Sequence, residues 1–400
     1  MNTRSVCLIA SGVLVTLVTV ALARLSFGLI LPAMRESLVL SYAQAGHLGT
    51  ATALGYLALV MVAGALAARR GGRVSILLGL VCVIVGFAGL SMTSEYVPLL
   101  GLMSLLGIGT AFAYTPLISL IGTWFPARRG LVIGLLNSGV GTGMMSAGWI
   151  VPYMTQLDAD RGWRWVWALF AAVAVAALLA TLAFVQNPPR PGLRGRAPSA
   201  AERRAARRAV FRDPRVVIVG LVYGIVGLTY IVQAIFMYSY ALAADIDAHV
   251  AGALAAFMGM LGIVFGPVWG SLSDRLGRGQ SLTLSMAMAF VSTLLPVLSP
   301  TLFGFAAHYL ILGVAVTGMF TSSLAASTEW VNADQAPLAV SYVTLFFATG
   351  QLLGPTAAGW LIGDTEAFRL TFGVSTGLIL LGVLLSIQLT RMSKASLDRA

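Results

Sequence analysis

Apolar positions in this chain run in long unbroken blocks, and polar positions collect between them. Neither a strand's period of two nor the one-sided stripe of a soluble helix describes these blocks. A helix that is apolar all round has no solvated face, and in lipid a helix satisfies its own backbone polar groups. Crossing the hydrocarbon core takes about 20 such residues. Twelve blocks meet that length, over 7–31, 44–67, 74–93, 97–122, 130–155, 163–186, 214–243, 248–270, 280–298, 301–328, 337–362 and 369–390. The expected fold class is therefore an all-α membrane protein with twelve transmembrane helices. An even number of spans puts both termini on one side.

The pattern also repeats. Gly64-Ala-Leu-Ala-Ala68-Arg69-Arg70-Gly71 matches Gly270-Ser-Leu-Ser-Asp274-Arg275-Leu276-Gly277 at an offset of 206, and Ala45-Gly46 matches Ala251-Gly252 at the same offset. Gly139, Gly143 and Trp149 match Gly350, Gly354 and Trp360 at an offset of 211. Two pseudo-symmetric six-helix bundles, 1–186 and 214–400, are expected, joined by a basic linker over 187–213. A parallel six-span repeat is a transporter architecture with its binding site between the halves near the midplane. In the linker, Pro188 and Pro189 stop the sixth span. Ser199 and Glu202 have capping-box spacing ahead of Arg203, Arg204, Arg207 and Arg208. That segment is expected to form a short basic helix on anionic headgroups, with a regulatory docking site as the alternative.

Composition adds to this picture without changing it. Of 400 residues, 58% are hydrophobic and 10% charged, against about 25% charged in soluble domains; the mean hydropathy is +0.90. A net charge of +11 would suit nucleic acid, but its placement argues otherwise. Twenty of the Lys and Arg residues fall on the terminal side of the spans and four on the other. That asymmetry predicts cytoplasmic termini in a multi-pass protein of the cytoplasmic (inner) membrane, and no nucleic-acid partner. Arg4 and Ala21-Leu22-Ala23 imitate a cleavable signal peptide. The apolar run continues through Leu31, so the segment is expected to be retained as the first span. Cys7 and Cys82 fall inside spans as packing residues. The three histidines lack metal-ligand spacing, so neither a metal nor a cofactor is expected. No nucleophile–base pair stands out, and an enzyme is not expected.

One charge lies well inside a span: Arg24. Such a charge costs about 2.5–3.5 kcal/mol on insertion scales and marks a functional site by default. All fourteen acids fall at span ends or in loops, so no intramembrane carboxylate neutralises it. Its counter-charge is either brought by a substrate or replaced by tyrosines, amides and water.

Gly270-Ser-Leu-Ser-Asp274-Arg275-Leu276-Gly277-Arg278 resembles the loop motif of the major facilitator superfamily, and with the spans and the repeat this resemblance covers the whole chain. In the first copy Ala68 replaces the motif's acid. Arg24-Leu-Ser-Phe-Gly28 through Pro32-Ala-Met34, Leu40 to Gly46 and Gly55-Tyr56 resemble the YbfB/YjiJ-like branch. Tyr114-Thr-Pro116 and Trp124-Phe125-Pro126 to Gly130 are similar to that branch and, more loosely, to monocarboxylate and oxalate–formate carriers. The resemblance implies a small-solute carrier whose spans 1, 4, 7 and 10 line the cavity. Arg24 lies eight residues before Pro32, so roughly 12 Å from the outer end of span 1. Polar residues at comparable depth are Tyr114, Asn137, Tyr230, Gln233 and His308, with Tyr230 the repeat counterpart of Arg24. A guanidinium fork suits a carboxylate. The plainer readings are that Arg24 is tied to carbonyls or tyrosines of its own half, that the tyrosines are packing residues, that Asn137 bonds a neighbouring helix, and that His308 sits at an outer gate.

The loops suggest two charge sets of reversed polarity that pair across the halves when the termini side closes. One joins Asp274 to Arg128 and Arg129. The other joins Arg69, Arg70 and Arg73 to Glu329 and Asp334. Plain topology signalling by the arginines is the alternative. Gly139, Gly143, Gly350 and Gly354 let helices approach, and Gly350-x-x-x-Gly354-Pro355 is close to a span-five pattern of drug antiporters, here displaced to span 11. The expected function is a secondary carrier of a small organic anion, of carboxylate type. It works as a monomer by rocking two halves, with proton symport as the first expectation for coupling. Export of drugs or metabolites is the runner-up, and a non-transporting sensor on the same fold is the alternative of another class.

Overall fold

A computed structural model describes residues 3–125, 128–188, 204, 208–332, 335–363 and 365–397. Most of the linker helix foreseen from Ser199 onward, and Asp334, lie outside these residues. Among the described residues, twelve helices are long and apolar enough to cross a bilayer. Span 1 is built from Thr3–Thr16, Leu17–Leu25 and Phe27–Leu38. Spans 2 to 6 are Tyr42–Arg70, Gly72–Met92, Tyr96–Trp124, Arg129–Leu157 and Gly162–Phe184. Spans 7 to 12 are Pro214–Ala243, Ala248–Leu276, Arg278–Leu298, Leu302–Ser327, Ala336–Ile362 and Phe368–Leu397.

Local chemistry sets the ends. Ser41 and Gln44 form a reciprocal capping box at span 2, and Asp213, Asp247 and Thr301 accept N-terminal backbone N–H groups of spans 7, 8 and 10. The loop-motif glycines Gly71 and Gly277 turn the chain at φ of 96° and 90°, a region that a Cβ opposes. Span 1 departs from expectation. It does not stop near Pro32 but carries this proline inside the helix and ends at Val39 in a left-handed conformation. Proline lacks an N–H for the carbonyl four residues back, a defect that packed helices in lipid tolerate. Arg24 is thus fourteen residues from the end of Leu38, roughly 21 Å rather than 12 Å, and sits near the middle of the rod.

Helix association in lipid rests on close packing rather than on expelling water. In the first half Phe87 stacks on Trp167, and both meet Phe170 edge-on. In the second half Tyr240 stacks on Phe368 and Phe372 with Phe305 at its edge. Each such pair adds about 0.5–1.5 kcal/mol beyond area burial.

The buried side chains fall into two clusters of unequal reach. One joins the first half to the part of the second half away from the termini, taking in Ile231–Ala241, Ala251, Ala255, Ala358 and Ile362. The other holds the second half alone, near the termini face, from Val210 and Val216 to Ala339 and Leu389. Spans 2 and 11, and spans 5 and 8, make the seam between halves. Away from the termini the seam is so tight that a Cβ on Gly148 would lie 2.5 Å from the Gly252 carbonyl oxygen, and one on Gly141 2.5 Å from that of Gly259. Gly46 of span 2 presses on the Pro355 backbone, and Gly359 on that of Tyr42. Toward the termini, Gly64, Gly134, Gly262, Gly266 and Gly270 have nothing within 4 Å. The molecule is closed on the face opposite the termini and cleft on the termini face.

Candidate substrate site

Arg24 sits in an irregular stretch that the apolar pattern conceals. Leu17–Leu25 is π-helical, and the Ser26 N–H reaches back five residues to Ala21 O at 2.8 Å. Neighbours make up for the loosened ladder: Thr110 of span 4 donates to Thr19 O at 2.6 Å, and Ser26 Oγ to Leu22 O at 2.7 Å. Stretches of π-helix inside α-helices are frequent at functional sites. Span 7, the repeat counterpart, is an uninterrupted α-helix at Tyr230.

The guanidinium bridges the two halves. Arg24 Nη2 donates to Gln351 Oε1 of span 11 at 2.8 Å, and its Cζ stands 4.9 Å from the centre of the Tyr56 ring of span 2. Tyr230 and Tyr114 also lie within range of its charge. Tyr114 donates to Asn137 Oδ1 at 3.1 Å, and Asn137 is exposed to the cleft. Of the expected site residues, Arg24, Tyr114 and Tyr230 share one polar environment, with Asn137 held by Tyr114. Gln233 and His308 meet Tyr230 in an adjoining pocket. His308 is fully buried and bonded to Ser292 of span 9, not at a surface gate.

Gln351 and Tyr56 lie outside the site expected from the sequence. Gln351, an amide inside an apolar span and 7% exposed, carried a signal in sequence. The resemblance directs attention to spans 1, 4, 7 and 10, and Gln351 lies on span 11.

The loop charges expected to pair when the termini side closes stand on the face that is open here. Among the described residues the ion pairs are Arg35–Glu366 at 3.4 Å and Arg215–Asp213 at 2.9 Å. Asp274, Arg275, Arg69, Arg70 and Arg128 are exposed on the cleft face. Arg73 donates to Leu182 O at 2.7 Å and Arg278 to Ala325 O at 2.9 Å, so each caps the end of a neighbouring helix in its own half. Glu329 lies in the field of Arg278 and Arg215, also in its own half. Arg35–Glu366 joins the halves on the closed face, with the Arg35 guanidinium 4.1 Å over the Tyr42 ring. Gly139 and Gly143 lie against span 1, and Gly350 and Gly354 against span 7, inside their halves rather than across the seam.

A sequence profile described as "Uncharacterised MFS-type transporter YbfB" matches residues 16–387. The chain belongs to this family. It is therefore a multi-pass membrane transporter of the major facilitator superfamily and not an enzyme. Relatives of the YbfB-type chain include human Monocarboxylate transporter 11, 27% identical over 82% of this chain and 71% of that one. Another is the probable sulfoacetate transporter SauU of Cupriavidus necator, 26% identical over 91% and 89%. A crystal structure of a bacterial homologue of the human lysosomal transporter Spinster, inward-facing and unoccupied, superposes with a TM-score of 0.81 at 16% identity, covering 98% of both chains. That likeness is one of fold.

Proposed function

We propose that this protein carries a small organic anion of carboxylate type across the cytoplasmic membrane by alternating access between its two halves. The observation that carries the reading is Arg24. It is a charge deep in the bundle, it has no carboxylate partner among the described residues, and its contacts are an amide from the opposite half and a tyrosine ring. A guanidinium paired only with neutral groups retains unspent bidentate capacity for a planar anion. The relatives named for a monocarboxylate and for sulfoacetate support the same class.

The terminal face carries the arginine excess, and on the positive-inside rule it faces the cytoplasm. The conformation described above is then inward-open. A carboxylate arriving at Arg24 competes with Gln351 for the guanidinium and so loosens a tie between the halves, which links binding to rocking. Charge pairing of Asp274 with Arg128 and Arg129, and of Glu329 with the loop 2–3 arginines, belongs to the opposite, outward-open state. Proton symport remains our coupling assignment, and a monomer is the working unit.

The test is binding of small carboxylates and of matched cations to purified wild type and Arg24→Gln, read by thermal stabilisation. Loss of a charged partner of a buried pair is expected to weaken anion binding by about 2–5 kcal/mol. Anion stabilisation that survives the substitution removes Arg24 as the anchor. Stabilisation by neutral or cationic compounds alone favours the exporter reading.

A further inference from the structure

From Arg24 toward the open face, the second half presents rings. On span 11, Phe347 lies one turn before Gln351, and residues four apart share a helix face. Phe347 is therefore on the side of span 11 that holds Arg24, displaced toward the termini. Leu345, Leu353 and Trp360, each more than half exposed, mark the lipid side of the same helix. On span 7, Tyr223 lies two turns before Tyr230, on the same face and roughly 10 Å nearer the termini. Tyr230 is within range of the Arg24 charge, and Tyr223 is within range of Tyr56 and Tyr114 of the opposite half. The rings form one set. Tyr223 stacks on Phe347 with centroids 4.5 Å apart, and Phe320 of span 10 stands edge-on to Phe347 at 5.5 Å and to Tyr230 at 5.3 Å.

These rings differ from those of the core. Phe87, Trp167, Phe305, Phe368 and Phe372 are at most 2% exposed, whereas Tyr230, Phe320 and Phe347 are only half-buried, as are Tyr56 and Tyr114 across the cleft. The repeat sharpens the contrast. Tyr114 and Phe320 are separated by 206 residues, the offset that relates Arg24 to Tyr230. Corresponding places on spans 1 and 4 thus carry a guanidinium and a phenol, and on spans 7 and 10 a phenol and a phenyl. One half offers the cation and the other the aromatic wall, so a ligand that engages both halves has an anionic end and an apolar end. Ligand sites commonly join aromatic walls to a few polar anchors. Ring edges and offset faces also favour another ring over a saturated group of the same size.

We propose that the preferred substrates are aromatic monocarboxylates, with the carboxylate on Arg24 and the ring toward the open face against Tyr230, Phe320 and Phe347. The inference rests on the carboxylate reading of Arg24. It is tested with the full-length protein by calorimetric titration of propanoate and of two matched pairs, benzoate with cyclohexanecarboxylate and 3-phenylpropanoate with 3-cyclohexylpropanoate. In the better-fitting pair the aryl acid binds about 2- to 10-fold tighter than its saturated counterpart, and tighter than propanoate. In Phe320→Leu and Phe347→Leu that aryl-to-cyclohexyl ratio falls toward one. Equal or tighter binding of both cyclohexyl acids by wild type overturns the inference, as do folded Phe320→Leu and Phe347→Leu proteins that both keep the full ratio. Should a variant fail to fold, the wild-type series alone decides. Propanoate binding that depends on Arg24, with no gain from a ring, sinks this inference and leaves the carboxylate reading standing. Failure of all five acids to bind removes both.

Discussion

Spans 5 and 8 meet along one part of their length and part along the other. At Gly148–Gly252 and Gly141–Gly259 their backbones touch, while Gly134, Gly262, Gly266 and Gly270 on the same two helices face open space. The small-residue pattern is continuous; the packing is not. Small residues in lipid earn their place by letting backbones approach, yet half of this series has nothing to approach. On the alternating-access reading proposed above, the glycines without neighbours are the ones that meet when the termini face closes. Polar contacts divide in the same way. Arg35–Glu366 joins the halves on the closed face, whereas Arg73 and Arg278 on the open face bond only within their own halves.

The largest break of this asymmetry comes from the tightest contact. Gly148→Leu places side-chain atoms where the Gly252 backbone already sits, an overpacking of about 1–3 kcal/mol or more. It is expected to shift the population toward opening of the face away from the termini by about 5- to 150-fold. Distances between spin labels placed at the ends of spans 5 and 8 measure this; an unchanged distribution would show that the seam does not set the state.

Gln351→Leu comes next. It removes the amide that holds Arg24 across the halves, at about 1–3 kcal/mol for a buried donor left unpaired. The empty protein should melt lower, while stabilisation by a bound carboxylate should grow, because the anion no longer displaces a partner. Equal ligand-induced shifts in both proteins would remove the latch.

Smaller still is the pair on the closed face. Arg35 and Glu366 are 31% and 49% exposed, and a half-solvated pair contributes about 0–1 kcal/mol. A double-mutant cycle with Arg35→Ala and Glu366→Ala should give a coupling in that range, shrinking with salt. A coupling above about 2 kcal/mol would make it a principal lock of that face. The smallest effect on stability is expected from Gly266→Ala. The open face has room for its Cβ, and helix propensity favours alanine by about 1 kcal/mol. Melting should hold or rise, while turnover in liposomes falls if that face must close. Unchanged turnover would mean that the open glycines serve no second state.

Each of these contrasts depends on something that apolar patterning does not encode. Lipid demands a long, fully hydrogen-bonded apolar helix for every crossing, so twelve spans, most helix ends to within a few residues, the internal repeat and the anomaly of Arg24 were determined by the sequence alone. The loop-motif glycines were equally legible, since a turn at positive φ needs them. Tertiary structure decided the rest. It widened span 1 into a π-helix over Leu17–Leu25 and carried it past Pro32, so that Arg24 stands near the middle of the rod rather than in its outer half. It selected Gln351 from a span outside the expected cavity-lining set, and it drew His308 inward to Ser292. It also sorted one series of glycines into a closed seam and an open cleft. These outcomes depend on which helix lies opposite which, and an apolar pattern that suits lipid on every face does not encode that choice.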